Sequence, residues 1–246
     1  MFYPINIRKY LLGEPFNPIY ENIYLTMQAP EYNPPLNNGL DILFEDAYIL
    51  AVNKPAGLLS VPGRGEDKQD CLASRAEEEF PGTLVVHRLD MATSGIVLMA
   101  RDKDTQARLS ALFAERQINK RYHAVVDGLV REDSGVVEQP MRCDWPNRPR
   151  QMIDYEQGKH AVTRFKVLSR NTNEMSSRLE LSPLTGRTHQ LRLHMQYLGH
   201  AILGDRLYGS EEVFNRSNRL QLHARELAFE HPVSGETIKL VCETGF

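Results

Sequence analysis

His87-Arg88-Leu89-Asp90-Met91-Ala92-Thr93-Ser94-Gly95 is a polar turn between two apolar runs, Leu84–Val86 before it and Gly95–Ala100 after it. Both runs are strand-length and rich in Val, Leu and Ile. A carboxylate, a guanidinium, an imidazole and two hydroxyls are thereby gathered at the edge of a sheet, where sites are built. The plainer reading is an ordinary tight turn in which Asp90 accepts hydrogen bonds from Thr93 and Ser94.

On either side the pattern is regular. Asp41–Glu45 and Tyr48–Asn53 read as a hairpin. Asp70 is expected to cap a helix running through Glu79, and Asp104 a second one ending near Gln117. Arg121–Leu129 alternates as a strand, and 140–151 reads as an irregular loop. Strands follow at about 161–169 and 177–182, a short helix at 189–198 stopped by Gly199, then strands at 226–231 and 236–242. Strands outnumber helices and come in hairpin-like runs. The expected class is α+β, a large, mainly antiparallel mixed sheet flanked by helices and loops. Residues 1–38 differ, with six of the 14 prolines, half of the ten tyrosines and repeated breaker signals. They read as an irregular arm, the first 26 residues as an upstream extension before Met27, and 39–246 as the folded domain.

With 246 residues, 41% hydrophobic and 25% charged, the composition is globular. No apolar run approaches the roughly 20 residues of a membrane span, and the N-terminus lacks the basic-then-apolar order of a signal peptide. Three scattered cysteines fit a cytoplasmic chain without a disulfide framework or a cysteine zinc site. The net charge of −3 conceals an asymmetry. Residues 142–225 carry 14 Lys and Arg against 8 Asp and Glu, a net of +6, and the remainder carries −9. A basic face on an acidic body suits local grip on a polyanion, although uneven surface charge in an ordinary enzyme gives the same count.

Two further segments carry chemistry. Gly186-Arg187-Thr188-His189-Gln190-Leu191-Arg192-Leu193-His194 is a dense polar cluster at a helix start, which Thr188 can cap. His189, His194 and His200 are spaced by five and six, not as the i, i+4 pair of a zinc helix, so no metal is expected. Asn119-Lys120-Arg121-Tyr122-His123 places Tyr122 on a strand, where a half-buried core tyrosine is the default.

Together these segments resemble the RluA-type RNA pseudouridine synthases. His87–Gly95 matches that family's HRLDxxTSG signature, Asn53–Gly57 its NKPxG segment, Gly186–His194 its GRTHQLRxH segment and Lys120–Tyr122 its KxY strand. Leu220–Ala224 looks like its LxLHA segment, and all five stand in family order. Val61–Arg64 and Cys143–Pro149 look further like the RluA subgroup, whose members modify 23S ribosomal RNA and tRNA anticodon stem-loops.

The resemblance implies breakage of a uridine's N-glycosidic bond, rotation of the base and rejoining through C5. Asp90 matches the catalytic carboxylate, which either attacks C1′ or takes a proton from C2′; the family leans to the second. Arg192 matches the arginine paired with it, since a guanidinium orients a partly buried carboxylate and balances its charge. Tyr122 matches the tyrosine lying against the base and is the candidate for removing the C5 proton. The target base has to leave its stack, and Arg88 matches the arginine inserted near the vacated space. His87 contacts RNA or supports the loop. Arg148 and Arg150, beside Trp145, are candidates for an RNA-gripping rim, unless Trp145 is tucked into the core. No cofactor is implied, and the subgroup suggests a monomer with RNA as partner. A glycoside or nucleoside hydrolase would need two partnered carboxyls where this segment supplies one. A non-catalytic RNA-binding module would expose more aromatic platforms than 8% aromatic content suggests.

Overall fold

The computed structural model describes residues 32–246, of which Pro34–Phe246 form one compact unit. The arm read into 1–38 and the extension read into 1–26 lie mostly or wholly outside the described residues. Among the described residues, no helix is long and apolar enough to cross a membrane.

Among the described residues ten strands form the main sheet, and one of its pairings is parallel. The hairpin β1 (Ile42–Glu45) and β2 (Ile49–Lys54) is turned by Asp46, whose Oδ1 accepts the amides of Tyr48 and Ile49 at 2.7 and 2.6 Å. β2 pairs with β4 (Ser94–Ala100), which also carries the short β3 (Leu84–Val85). β4 pairs in parallel with β11 (Leu222–Glu230). The sheet then continues antiparallel through β5 (Asn119–Asp127), β10 (Ser176–Pro183), β9 (Val162–Asn171) and β6 (Ser134–Glu138), and β12 (Thr237–Val241) joins β11. The segment read as an irregular loop instead contains a small hairpin, β7 (Met141–Cys143) with β8 (Gln151–Ile153), closed by a 3₁₀ turn at Trp145–Asn147. Three-residue strands are too short to show a period, which is why that stretch reads as loop.

Among the described residues the α-helices are α1 (Leu72–Glu79), α2 (Lys103–Ala114), α3 (Gln190–Tyr197) and the one-turn α4 (Glu211–Asn215). The capping residues differ from those expected. Cys71, not Asp70, caps α1 in a reciprocal box with Ser74, because Asp70 is engaged by Arg75 at 2.8 Å. Asp102, not Asp104, caps α2, its carboxylate accepting both the amide and the hydroxyl of Thr105. α3 begins at His189, which has φ 55°, and no side chain caps it.

Side chains alternate across β2 and β4. Ile49, Ala51, Ile96 and Leu98 pack with Leu109 of α2, while Leu50, Val52, Val97 and Met99 pack with Leu72 and Ala76 of α1. Both faces of these strands are thus covered, so β4 is buried along its whole length instead of alternating. Gly95 shows what the parallel join demands. Its φ is +112°, and a Cβ there would stand 2.3 Å from the carbonyl oxygen of Ala224, so only glycine lets β4 and β11 meet directly behind the Asp90 turn.

Candidate active site

The turn before β4 is fixed from behind by two buried polar clusters. Lys54, at the end of β2, is 0% exposed. Its Nζ donates to the carbonyls of Pro55, Leu58 and Met91 at 2.9, 2.7 and 3.1 Å, three acceptors for the three protons of an ammonium. Burial lowers its pKa to about 7 against the upward pull of Asp90. On the other side, Arg219 donates to Ser94 Oγ, which lies 2.8 Å from His223 Nδ1, and His223 Nε2 donates to the carbonyl of Cys242 at 3.2 Å. Burial holds His223 down at about 4, so its imidazole is neutral and Ser94 is the donor to it. Ser94 thus turns away from Asp90, and the backbone carbonyl of Asp90, not its side chain, accepts the Thr93 amide. The ordinary-turn reading of the carboxylate does not hold.

The Asp90 side chain faces α3. The loop leading into that helix is knotted by Gln190, whose Oε1 accepts from Thr185 Oγ1 and the Arg187 amide, and whose Nε2 donates to Val162 O and Thr163 Oγ1. The knot delivers His189 and Arg192 to the carboxylate. Arg192 Nη1 lies 3.7 Å and His189 Nε2 3.8 Å from Asp90 Oδ2. Arg192 has a closer partner that sequence reasoning missed. Its Nε and Nη2 grip both oxygens of Asp205 at 2.7 Å. Asp205 is fully buried, and its Oδ1 also accepts the amides of Leu207 and Tyr208. Burial pulls the Arg192 pKa down, but Asp205, with Asp90 behind it, more than offsets this and leaves it raised.

Tyr122 sits where two apolar clusters of the core meet and lines the same cleft as Asp90. Burial, and then the Asp90 charge, push its phenol well above the ordinary tyrosine value, so the hydroxyl is neutral. Arg88 is exposed and lines the cleft. His87 lines it too, but its ring stacks on Phe113 at 4.4 Å and its Nε2 accepts the Leu98 amide at 2.9 Å. Burial drives its pKa to about 3. Of the two roles read for His87, support of the loop is the one these contacts describe. His194 and His200 serve different partners, Thr163 Oγ1 and the Asp127 carbonyl.

The cleft measures about 520 Å³. Among the described residues that line it, Asp90 is the only acid, against the cations Arg88, Arg116, Lys120, Arg187 and Arg192. In the β7–β8 loop Trp145 is 63% exposed, not tucked into the core, and the Arg148 guanidinium lies 4.6 Å over its ring. Arg150 lies 5.7 Å over the ring of Tyr208, which itself touches His189 and Arg192. Arg150 is thus linked to Asp90 through two intervening side chains.

One carboxylate beside five cations in a cleft of about 520 Å³ suits an enzyme acting on RNA. The chain belongs to the RNA pseudouridylate synthase family, whose model matches residues 48–197. Within it, the chain is 50% identical over 220 residues to the dual-specificity RNA pseudouridine synthase RluA of Haemophilus influenzae, covering 89% of this chain and all of that one. It is 46% identical over 205 residues to the protein of the same description from Yersinia pestis, covering 83% and 99%. Among solved structures, human RNA pseudouridylate synthase domain containing 1 superposes with a TM-score of 0.73 at 30% identity, covering 87% of both chains.

The geometry changes what Arg192→Met should do. Read from sequence, the substitution simply deprives Asp90 of its partner. In the structure it also strands Asp205, a buried carboxylate, and removing one member of a buried ion pair costs about 3–5 kcal/mol. Urea unfolding should show that loss of stability, and an unchanged unfolding midpoint would contradict the pairing.

Proposed function

We propose that the protein converts particular uridines of structured RNA to pseudouridine without a cofactor, acting on ribosomal RNA and on tRNA anticodon stem-loops, as a monomer in the cytoplasm. The dual specificity in its relatives' names and the RluA-like segments at Val61–Arg64 and Cys143–Pro149 support the two-substrate reading. The catalytic domain is read as residues 39–246. The observation that carries the function is Asp90, the one carboxylate among the described residues lining the cleft, set against five arginine and lysine side chains there. A hydrolase that works through an acid–nucleophile pair finds no second carboxyl there among the described residues.

In this reading a uridine leaves its stack and enters the cleft, with Arg88 beside the space it vacates. Asp90 takes the C2′ proton, or alternatively attacks C1′. Either way the N-glycosidic bond breaks, the base turns within the cleft, and C5 bonds to C1′. If the C2′ proton was removed, Asp90 returns it. Tyr122 packs against the base through this rotation. Its neutral phenol is a poor proton acceptor, but loss of the C5 proton restores the conjugated ring, so the step asks little of whichever group receives it.

Asp90→Asn is isosteric and should bind RNA as the wild type does. It should release less than a few per cent of the tritium that wild type releases from C5-tritiated uridine RNA. Release without free uracil marks the isomerase, and free uracil would mark a hydrolase. No release from the wild-type protein on ribosomal RNA or tRNA would remove the reading.

The rim adds affinity without touching the reacting base. Arg148→Ala combined with Arg150→Ala should weaken RNA binding and flatten its salt dependence, since fewer counterions are released. The rate at saturating RNA should stay near wild type. An unchanged salt slope would place the RNA elsewhere.

A further inference from the structure

Asp90 Oδ2 is approached by two donors, and the second of them, His189, belongs to no role described so far. Its backbone is unusual. At φ 55° it occupies the left-handed region, which a non-glycine residue enters at a cost and keeps where the surroundings enforce it. The Gln190 knot supplies the enforcement. The conformation carries the imidazole between Tyr208 and Asp90, Nδ1 2.9 Å from the Tyr208 hydroxyl and Nε2 3.8 Å from Asp90 Oδ2.

The tautomer follows from proton accounting. Tyr208 is 3% exposed, and its oxygen accepts the Gln151 amide at 2.7 Å. Burial pushes the phenol up to about 12, so it keeps its proton, and His189 Nδ1 is the one acceptor within reach among the described residues. A buried hydroxyl donates when an acceptor is available. Nδ1 is therefore the unprotonated nitrogen. Burial lowers the His189 pKa despite Asp90, which keeps the ring neutral. Its single proton is on Nε2, directed at Asp90.

We propose that His189 is a positioning residue for Asp90, held by Tyr208 in the Nε2–H form, and that this relay ties the carboxylate to the β7–β8 hairpin. Arg192 and His189 converge on Oδ2, and in this proposal Oδ1 is the oxygen that serves the ribose. At 3.7 and 3.8 Å both donors stand just outside hydrogen-bond range, the longer spacing common at catalytic groups without substrate. The outer end of the relay is Gln151, the first residue after the rim loop, and Arg150 covers the Tyr208 ring. The inference rests on the Asp90 reading above.

The test uses the full chain, a C5-tritiated stem-loop RNA and single-turnover kinetics, which separate the reaction from binding. ¹⁵N-histidine spectra of the wild-type protein at neutral pH should show His189 neutral and protonated on Nε2. Tyr208→Phe keeps the ring under Arg150 and Arg192 but frees the imidazole, so the tautomer preference should be lost. A hydrogen bond to a charged group is worth roughly tenfold to a hundredfold in rate. His189→Leu should slow the single-turnover step by about that factor with RNA affinity within about twofold of wild type. His189→Gln, which restores a donor, should recover part of it. A wild-type His189 protonated on Nδ1 overturns the proposal whether or not any variant folds. So does His189→Leu turning over within about threefold of wild type. An active Asp90→Asn would overturn both readings, whereas an active His189→Leu beside an inactive Asp90→Asn overturns this one alone.

Discussion

Asp205 and Arg192 form a two-point ion pair with almost no access to water, and the site is organised around it. Such a pair is expensive to bury, and good geometry with further hydrogen bonds is what makes it tolerable. Both conditions are met here. The guanidinium fork spans both carboxylate oxygens, and two backbone amides complete the acceptor set of Asp205. With Nε and Nη2 committed inward, Nη1 is the group left toward Asp90. Arg192 therefore does not swing between partners. It stands as a fixed cation whose position is set from the buried side, and the carboxylate settles against it.

The same logic applies behind the Asp90 turn. Lys54 gathers three carbonyls, one of them Met91 next to Asp90, and Ser94 is held by Arg219 and His223 at the start of β4. Gly95 lets the parallel partner strand approach closely enough for that second contact. Turn and helix are thus immobilised independently, and the cleft lies between them. A site that breaks and remakes bonds to a sugar while a base rotates needs fixed charges that do not reorganise as the reaction proceeds. Its acceptor is one carboxylate, and the surrounding cations match an RNA backbone brought close.

The chemistry was legible in the sequence and its supports were not. Asp90, Tyr122 and Arg192 stand in local motifs that match a family, and the structure brings all three to one cleft. Asp205 has no such local mark. It pairs with a residue 13 positions away, and the spacing reveals neither its burial nor its partner. Tyr208 is equally silent, and although His223 stands in the Leu220–Ala224 match, its hydrogen bond to Ser94, 129 positions distant, is not marked there. Local competition explains the cap errors. Asp70 has the right residue type for a cap but is claimed by Arg75, and the α2 cap falls two residues earlier, on Asp102. At α3 the Gln190 knot overrides Thr188 altogether and sets the entry angle through His189. Trp145 has two readings in the sequence, and its exposure beneath Arg148 removes the buried one.

The claim that Asp205 anchors Arg192, and through it Asp90, is tested most directly by a double-mutant cycle of Arg192→Met and Asp205→Leu, read in urea unfolding and in single-turnover rate together. Each single variant strands a buried charge, whereas the double variant replaces the pair by apolar groups. The account predicts a coupling of at least about 2 kcal/mol in stability, with the double variant more stable than either single one yet still unable to turn over, because Asp90 has lost its fixed cation. Additive stability losses within about 0.5 kcal/mol, or a double variant that regains both stability and turnover, would contradict it.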